Sequence, residues 1–176
     1  MKRIVIIVFV FIFADLYATA QLPPSGKVEF GMVPSKILSE NRNFSIYLPQ
    51  SYKVNSEKYY PVLYLLHGGG DTNIGWVRRG HLEEAANQIF NSGFAKEMII
   101  VIPDAGTTFM NYFNSDGWRY EDFFFEEFIA FIESNYRVKS SKKYRAIGGL
   151  SMGGGGSIAY AQRHPEMFSS VYAMSG

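Results

Sequence analysis

Ser151 is the residue around which the chemistry of this sequence is organised. It stands at the centre of Gly149-Leu150-Ser151-Met152-Gly153, a G-x-S-x-G pattern. The apolar stretch Tyr144 to Ile147 leads into it, and a small-residue stretch from Gly153 leads out. Strand, sharp turn, helix is the setting in which a serine hydroxyl stands clear of the backbone as a nucleophile. The turn strains the serine backbone, and glycines on either side remove side chains that would collide. The hydroxyl then lies at a helix N-terminus, where N–H groups favour developing negative charge. A phosphate cradle and a plain tight turn are the alternatives. The cradle lacks its signature: no G-x-G-x-x-G precedes the helix in phase, and no Lys-Ser or Lys-Thr pair closes a P-loop.

A second glycine run, His67-Gly68-Gly69-Gly70, ends the apolar run Pro61 to Leu66. It has the form of an HGGG loop, whose bare backbone lets an amide approach a substrate carbonyl oxygen. Gly69 and Met152 are the expected N–H donors of an oxyanion hole, with His67 and Gly68 supporting the loop. Each such donor is worth about 3 kcal/mol of barrier. A glycine-rich turn without a ligand is the bland reading of either run alone.

A serine hydroxyl is a weak nucleophile without a base. The chain has three histidines. His164 follows the expected helix 152–163, about 18 Å long at the α-helical rise, and is carried away from Ser151. His67 is closer but is assigned to the loop. His81 opens a helix and is assigned to solvent. Asp104, at the end of a strand, either contacts substrate or terminates the strand. A serine in this strand–turn–helix pattern takes its triad partners in the chain order Ser, acid, His. Beyond Ser151 the chain offers no Asp, with Glu166 and His164 the remaining candidates. The triad acid and His are therefore expected outside this chain. On that order the chain reads as the N-terminal part of a domain, inactive by itself.

The elements that must position these residues follow from apolar periodicity. Lys27 to Met32 and Asn43 to Leu48 alternate, which predicts antiparallel, half-exposed strands joined by a turn at Ser39 to Arg42. Pro61 to Leu66, Met98 to Ile102, Tyr144 to Ile147 and Ser169 to Met174 are continuous apolar runs, as in parallel strands covered on both faces. Helices are predicted over His81 to Asn91, Glu121 to Tyr136 and Gly153 to Arg163. The Phe124, Phe128, Phe131 and Ile132 stripe reads as a core face, with Glu126, Glu127 and Glu133 off it. This alternation gives an α/β domain with a mostly parallel sheet, helices on both faces and antiparallel strands at its N-terminal side.

Composition narrows the class. Seventeen basic and 16 acidic residues give a net charge of +1, which leaves no basic excess to follow a nucleic acid backbone. An apolar content of 47% excludes a disordered chain. The absence of Cys excludes disulfides, a thiol nucleophile, a thiolate zinc site and a lipidated cysteine. Lys2 and Arg3, the apolar run Ile4 to Phe13 and Ala18-Thr19-Ala20 form a secretory signal pattern over residues 1–20. The run is half the ~20 residues a membrane span needs, so no stable insertion is expected after cleavage. Residues 21–27 read as a linker, and 28–176 as the domain. The destination is secreted or periplasmic.

Asn43 to Pro49, Tyr60 to Gly70, Met98 to Asp104, Glu121 to Tyr136 and Arg145 to Gly154, followed by His164-Pro165 and Phe168, resemble the esterase D and feruloyl esterase-like family of the α/β-hydrolase superfamily. The resemblance covers nearly all of residues 28–176. It implies a serine carboxylic ester hydrolase without metal or organic cofactor. It further implies an acyl ester substrate, small or polysaccharide-linked, with feruloyl or acetyl groups on plant polysaccharide ahead of siderophore esters. The rival is a non-catalytic hydrolase-like module that binds a glycan or partner, with Trp76, Tyr112 and Trp118 as a stacking face.

Overall fold

The structure is a computed structural model that describes residues 25–107 and 112–176. The signal pattern expected at 1–20 and the first four linker residues lie outside the described residues. The strands are β1 (Lys27–Ser35), β2 (Glu40–Leu48), β3 (Val62–Leu66), β4 (Ile99–Pro103), β5 (Asn114–Ser115), β6 (Trp118–Arg119), β7 (Arg145–Leu150) and β8 (Ser170–Met174). The helices are α1 (Ser51–Val54), α2 (Gly75–Arg78), α3 (Leu82–Asn91), α4 (Tyr120–Asp122), α5 (Ile129–Asn135) and α6 (Met152–Arg163). A π-helical turn, Phe123–Phe128, joins α4 to α5.

Six strands make one sheet in the order β1-β2-β4-β3-β7-β8, and β5 and β6 pair as a separate two-stranded sheet. β1 and β2 pair antiparallel, as do β2 and β4. The remaining neighbours are parallel. This is the expected α/β sheet. Its parallel centre is the pair of apolar runs β3 and β4, which can be apolar throughout because both faces are covered.

Alternation within the strands divides the core. Phe44, Ile46, Tyr64 and Leu66 face one side, against Phe124, Phe128, Ile132 and Tyr160. Tyr47, Leu65, Ile100 and Ile102 face the other, against Leu82 and Ala86 of α3. Burial of each large side chain is worth about 1.5–3 kcal/mol, so the aromatic layer carries much of the stability. The rings meet largely edge-on: Phe44 lies 5.9 Å from Phe128, and Tyr64 5.7 Å from Phe124.

Three sequence expectations are corrected. β2 is not half-exposed: Phe44 to Leu48 is buried on both faces. Ser45 bonds the Asn73 carbonyl at 2.8 Å and Tyr47 bonds Asn87 at 2.9 Å, so α3 and its approach cover that side. The first turn comes earlier, at residues 36–39. Glu127 sets it there, accepting from Ser35 Oγ at 2.5 Å and from the N–H groups of Lys36 and Ile37. The strand before Ser151 does not stop at Ile147 but runs through Gly148 and Gly149 to Leu150. Gly148 lies where β8 comes close, since a β-carbon there would be 2.9 Å from Tyr172 O.

The π-helical turn answers a packing problem. Phe123, Phe124 and Phe128 are all wholly buried. Regular helical spacing cannot aim all three into one layer at full depth, and an i→i+5 turn widens the helix enough to do so.

Candidate active site

β7 delivers the chain to Ser151 and α6 takes it away. Ser151 has φ 53° and ψ −115°, a left-sided backbone geometry that costs a non-glycine residue about 1–3 kcal/mol. Neighbours hold it there. Ser151 N–H donates to Met174 O at 2.8 Å, and Ser151 O accepts from Gly155 N–H at 3.0 Å. The glycines on each side have no room for a side chain. A β-carbon on Gly149 would sit 2.4 Å from the Gly153 carbonyl, and one on Gly153 would sit 2.5 Å from Leu66 O. The result is an exposed serine at the first turn of a helix. Met152, the next residue, opens α6, where N–H groups lie outside the intrahelical ladder.

The end of β3 comes up beside it. A β-carbon on Gly68 would lie 3.5 Å from Leu150 O and 3.9 Å from Ser151 Cβ. Gly68, Gly69, Trp76, Arg79 and Ser151 share a cleft of about 490 Å³. Arg79 forms an ion pair with Asp71 on its wall. A second cleft of about 360 Å³, lined by Phe113, Met152, Gly155 and Ser175, meets the first at Ser151. Both fall in the size range of small-molecule sites. Ser151, Met152, Gly68 and Gly69 thus lie around two adjoining clefts.

His67 is buried and bonded through both ring nitrogens. Nε2 accepts from Ala105 N–H at 3.0 Å, which leaves the proton on Nδ1 to donate to Gly68 O at 2.9 Å. Burial is the main reason its pKa falls below the usual histidine value. Both ring nitrogens are thus taken up by backbone groups of the loops after β3 and β4. His164 is also engaged: its ring lies 3.7 Å from that of Phe125, and Nε2 is 3.4 Å from Glu121 Oε1. His81 is exposed at the cap of α3, with φ 46°. None of the three faces the Ser151 clefts. Asp104 is turned to Arg42 at 3.3 Å and to Gly106 N–H at 2.7 Å, so it shapes the loop after β4.

Trp76, Tyr112 and Trp118 do not form a common stacking face. Tyr112 is wholly buried, and Trp118 stacks on Tyr120 at 5.6 Å under Arg42. Only Trp76 reaches the Ser151 clefts. The polar ends of Trp76 and Tyr112, by contrast, reach the loop after β3: Trp76 Nε1–H donates to Leu66 O at 3.1 Å, and Tyr112 Oη–H to His67 O at 3.0 Å. Sequence reasoning missed these two contacts. Among the described residues no cluster of three or more His, Asp or Glu side chains is placed to hold a metal ion. Among them, too, no helix is long and apolar enough to cross a membrane.

The family model described as "Putative esterase" matches residues 35–176. An endo-1,4-beta-xylanase/feruloyl esterase of Xylanibacter ruminicola is 30% identical over 92% of this chain and 23% of its own length. An esterase of Mycobacterium tuberculosis is 32% identical over 77% of this chain and 29% of its own. Among solved structures, a ferulic acid esterase superposes with a TM-score of 0.81 at 48% identity, over 85% of this chain and 58% of that one. A ferulic acid esterase of Anaeromyces mucronatus bound to ferulic acid gives a TM-score of 0.74 at 25% identity, over 90% and 61%. The chain thus spans about a quarter of these curated relatives and about three fifths of these solved chains.

Proposed function

The chain belongs to the esterase family, and on that footing we propose that Ser151 is the nucleophile of a carboxylic ester hydrolase. The observation that carries this reading is the backbone of Ser151: its positive φ leaves an exposed hydroxyl where two clefts meet. Ser151 Oγ attacks the ester carbonyl carbon, and its proton passes to a base. The carbonyl oxygen becomes an oxyanion, received by the N–H groups of Gly69 and Met152. The C–O bond to the alcohol breaks, leaving the acyl group on Ser151, and water then releases it as the acid. Neither a metal nor an organic cofactor enters these steps. The engagement of His67 and His164 elsewhere, and the exposed position of His81 at the cap of α3, support placing the triad acid and His outside these 176 residues.

The substrate class we favour is a feruloyl or acetyl ester of plant polysaccharide, ahead of siderophore esters. The ferulic acid and xylan relatives support it. The signal pattern at residues 1–20 supports a secreted or periplasmic setting, where such polymers are met. The test, made on the full-length protein, is a fluorophosphonate probe followed by peptide mass spectrometry. An adduct on Ser151, lost in Ser151→Ala, is expected; labelling elsewhere, or none, sinks the nucleophile assignment. Turnover of methyl ferulate is then compared with that of a catechol-type siderophore, and preference for the latter overturns the acyl assignment.

The position of the histidines also favours a second reading, a hydrolase-like glycan- or partner-binding module without turnover. Binding of xylan fragments that is unchanged by Ser151→Ala, with no probe labelling, would select it.

A further inference from the structure

Three successive carbonyls after β3 each receive a side-chain hydrogen bond. Leu66 O takes Trp76 Nε1–H at 3.1 Å, His67 O takes Tyr112 Oη–H at 3.0 Å, and Gly68 O takes His67 Nδ1–H at 2.9 Å. In a trans peptide the C=O of one residue and the N–H of the next point in opposite directions within one plane. Holding the carbonyls of Leu66, His67 and Gly68 therefore fixes the N–H directions of His67, Gly68 and Gly69. The last of these is the oxyanion donor proposed above.

We infer that Trp76 and Tyr112 are positioning residues for that donor, acting through the backbone strap 66–69. Tyr112 is wholly buried and cannot touch a substrate in this arrangement. It is itself held by α6: its carbonyl accepts from Tyr160 Oη–H. Its ring rests on Gly156, where a β-carbon would come within 3.1 Å of it. Gly153, in the same helix, lies against Leu66 O and His67 O, 2.5 and 2.7 Å from where its β-carbon would be. The strap is thus clamped to the helix that begins at Met152, the other proposed donor. One helix sets the separation of both N–H groups; Trp76 and Tyr112 hold the two peptides that lead into Gly68, and His67 holds the one that carries the Gly69 N–H. Trp76 has a second surface, since its ring also walls the larger cleft.

This inference rests on the serine hydrolase reading, so its test carries a control for that reading. Tyr112→Phe and Trp76→Phe, each made in the full-length protein, keep an aromatic ring and remove one donor. The expected result is a fall in kcat of about tenfold to a hundredfold, below the ~10²–10³-fold cost of removing an oxyanion donor outright. KM for p-nitrophenyl acetate should stay within about twofold, and affinity for an aryl boronic acid should fall in step with kcat/KM. Tyr160→Phe, which releases Tyr112 without touching the strap, should give a smaller loss of the same kind. Variants that lose Tm but keep kcat and boronate affinity would assign these side chains to folding alone and overturn the inference. Ser151→Ala separates the two failures: if it retains turnover, the nucleophile assignment falls, and this inference with it.

Discussion

Gly153 and Leu66 meet backbone to backbone, with 2.5 Å between the Leu66 carbonyl oxygen and the point where a Gly153 β-carbon would stand. The contact joins the start of α6 to the end of β3. Both partners are backbone, so neither can yield cheaply.

Gly153→Ala should therefore destabilise the fold by about 1–3 kcal/mol, the usual range for overpacking. It should also separate the strap from Ser151 and lower kcat. Urea unfolding and ester turnover on the same preparation check both effects. Gly155→Ala, on the same helix with open space around its would-be β-carbon, should be neutral or mildly stabilising.

Ser151→Gly should be more stable than Ser151→Ala by about 1 kcal/mol. Glycine tolerates φ 53° and alanine does not. Both should be inactive. The comparison of thermal midpoints isolates strain stored at the nucleophile from the chemistry it performs.

His67 makes stability pH-dependent. Burial lowers its pKa in the folded state, so the unfolded chain binds a proton more readily. Its contribution is fully present above the unfolded value near 6.5 and is lost as pH falls from there through the folded value. Protonation would also remove the acceptor for Ala105 N–H. Thermal midpoints from pH 7.5 to 5 should fall more steeply for the parent than for His67→Gln. Equal slopes would show that other groups carry the pH dependence.

Asn87→Ala should cost about 1–3 kcal/mol and leave kcat unchanged. Asn87 Oδ1 accepts from Gly26 N–H at 2.6 Å and from Tyr47 Oη–H at 2.9 Å, and Nδ2 donates to Gly26 O at 3.0 Å. Its loss leaves partly buried groups unpaired, far from Ser151 in the fold. A matched fall in kcat would contradict the separation between this anchor and the site.

The 176-residue polypeptide, assayed by itself, should accelerate p-nitrophenyl acetate hydrolysis by no more than about 10³–10⁴-fold over water, the residue left when a triad member is missing. The basis is that His67 and His164 are engaged elsewhere and His81 stands exposed at the cap of α3. Faster turnover that is lost in His67→Gln would overturn it.

The parts of the site legible in the sequence are those where chemistry demands glycine. G-x-S-x-G and His67 to Gly70 mark themselves because a backbone must approach another backbone, and only one residue type permits it. The parallel core was legible because β3 and β4 are apolar without interruption. What stayed hidden depends on distant partners. The burial of Ser45 and Tyr47 is decided by Asn73 and Asn87, 28 and 40 residues away. The bonds from Trp76 and Tyr112 to the strap join residues 10 and 45 apart, with no local pattern to announce them. The stripe of Phe124, Phe128, Phe131 and Ile132 suggested a core face but not the wider helical turn that seats it.

That wider turn makes the helix from α4 to α5 a gauge of sequence length. Winding Phe123 to Phe128 as an ordinary α-helix at unchanged length would turn everything beyond them by about 100°. Glu133 would swing off Arg145, which it now holds at 2.5 Å at the foot of β7. Glu127 would leave the turn at residues 36–37. A replacement that collapsed the wide turn at constant length would thus unmoor both the strand that feeds the nucleophile and the outermost hairpin, whereas deleting one residue within the turn would restore ordinary winding and leave the elements beyond it in place.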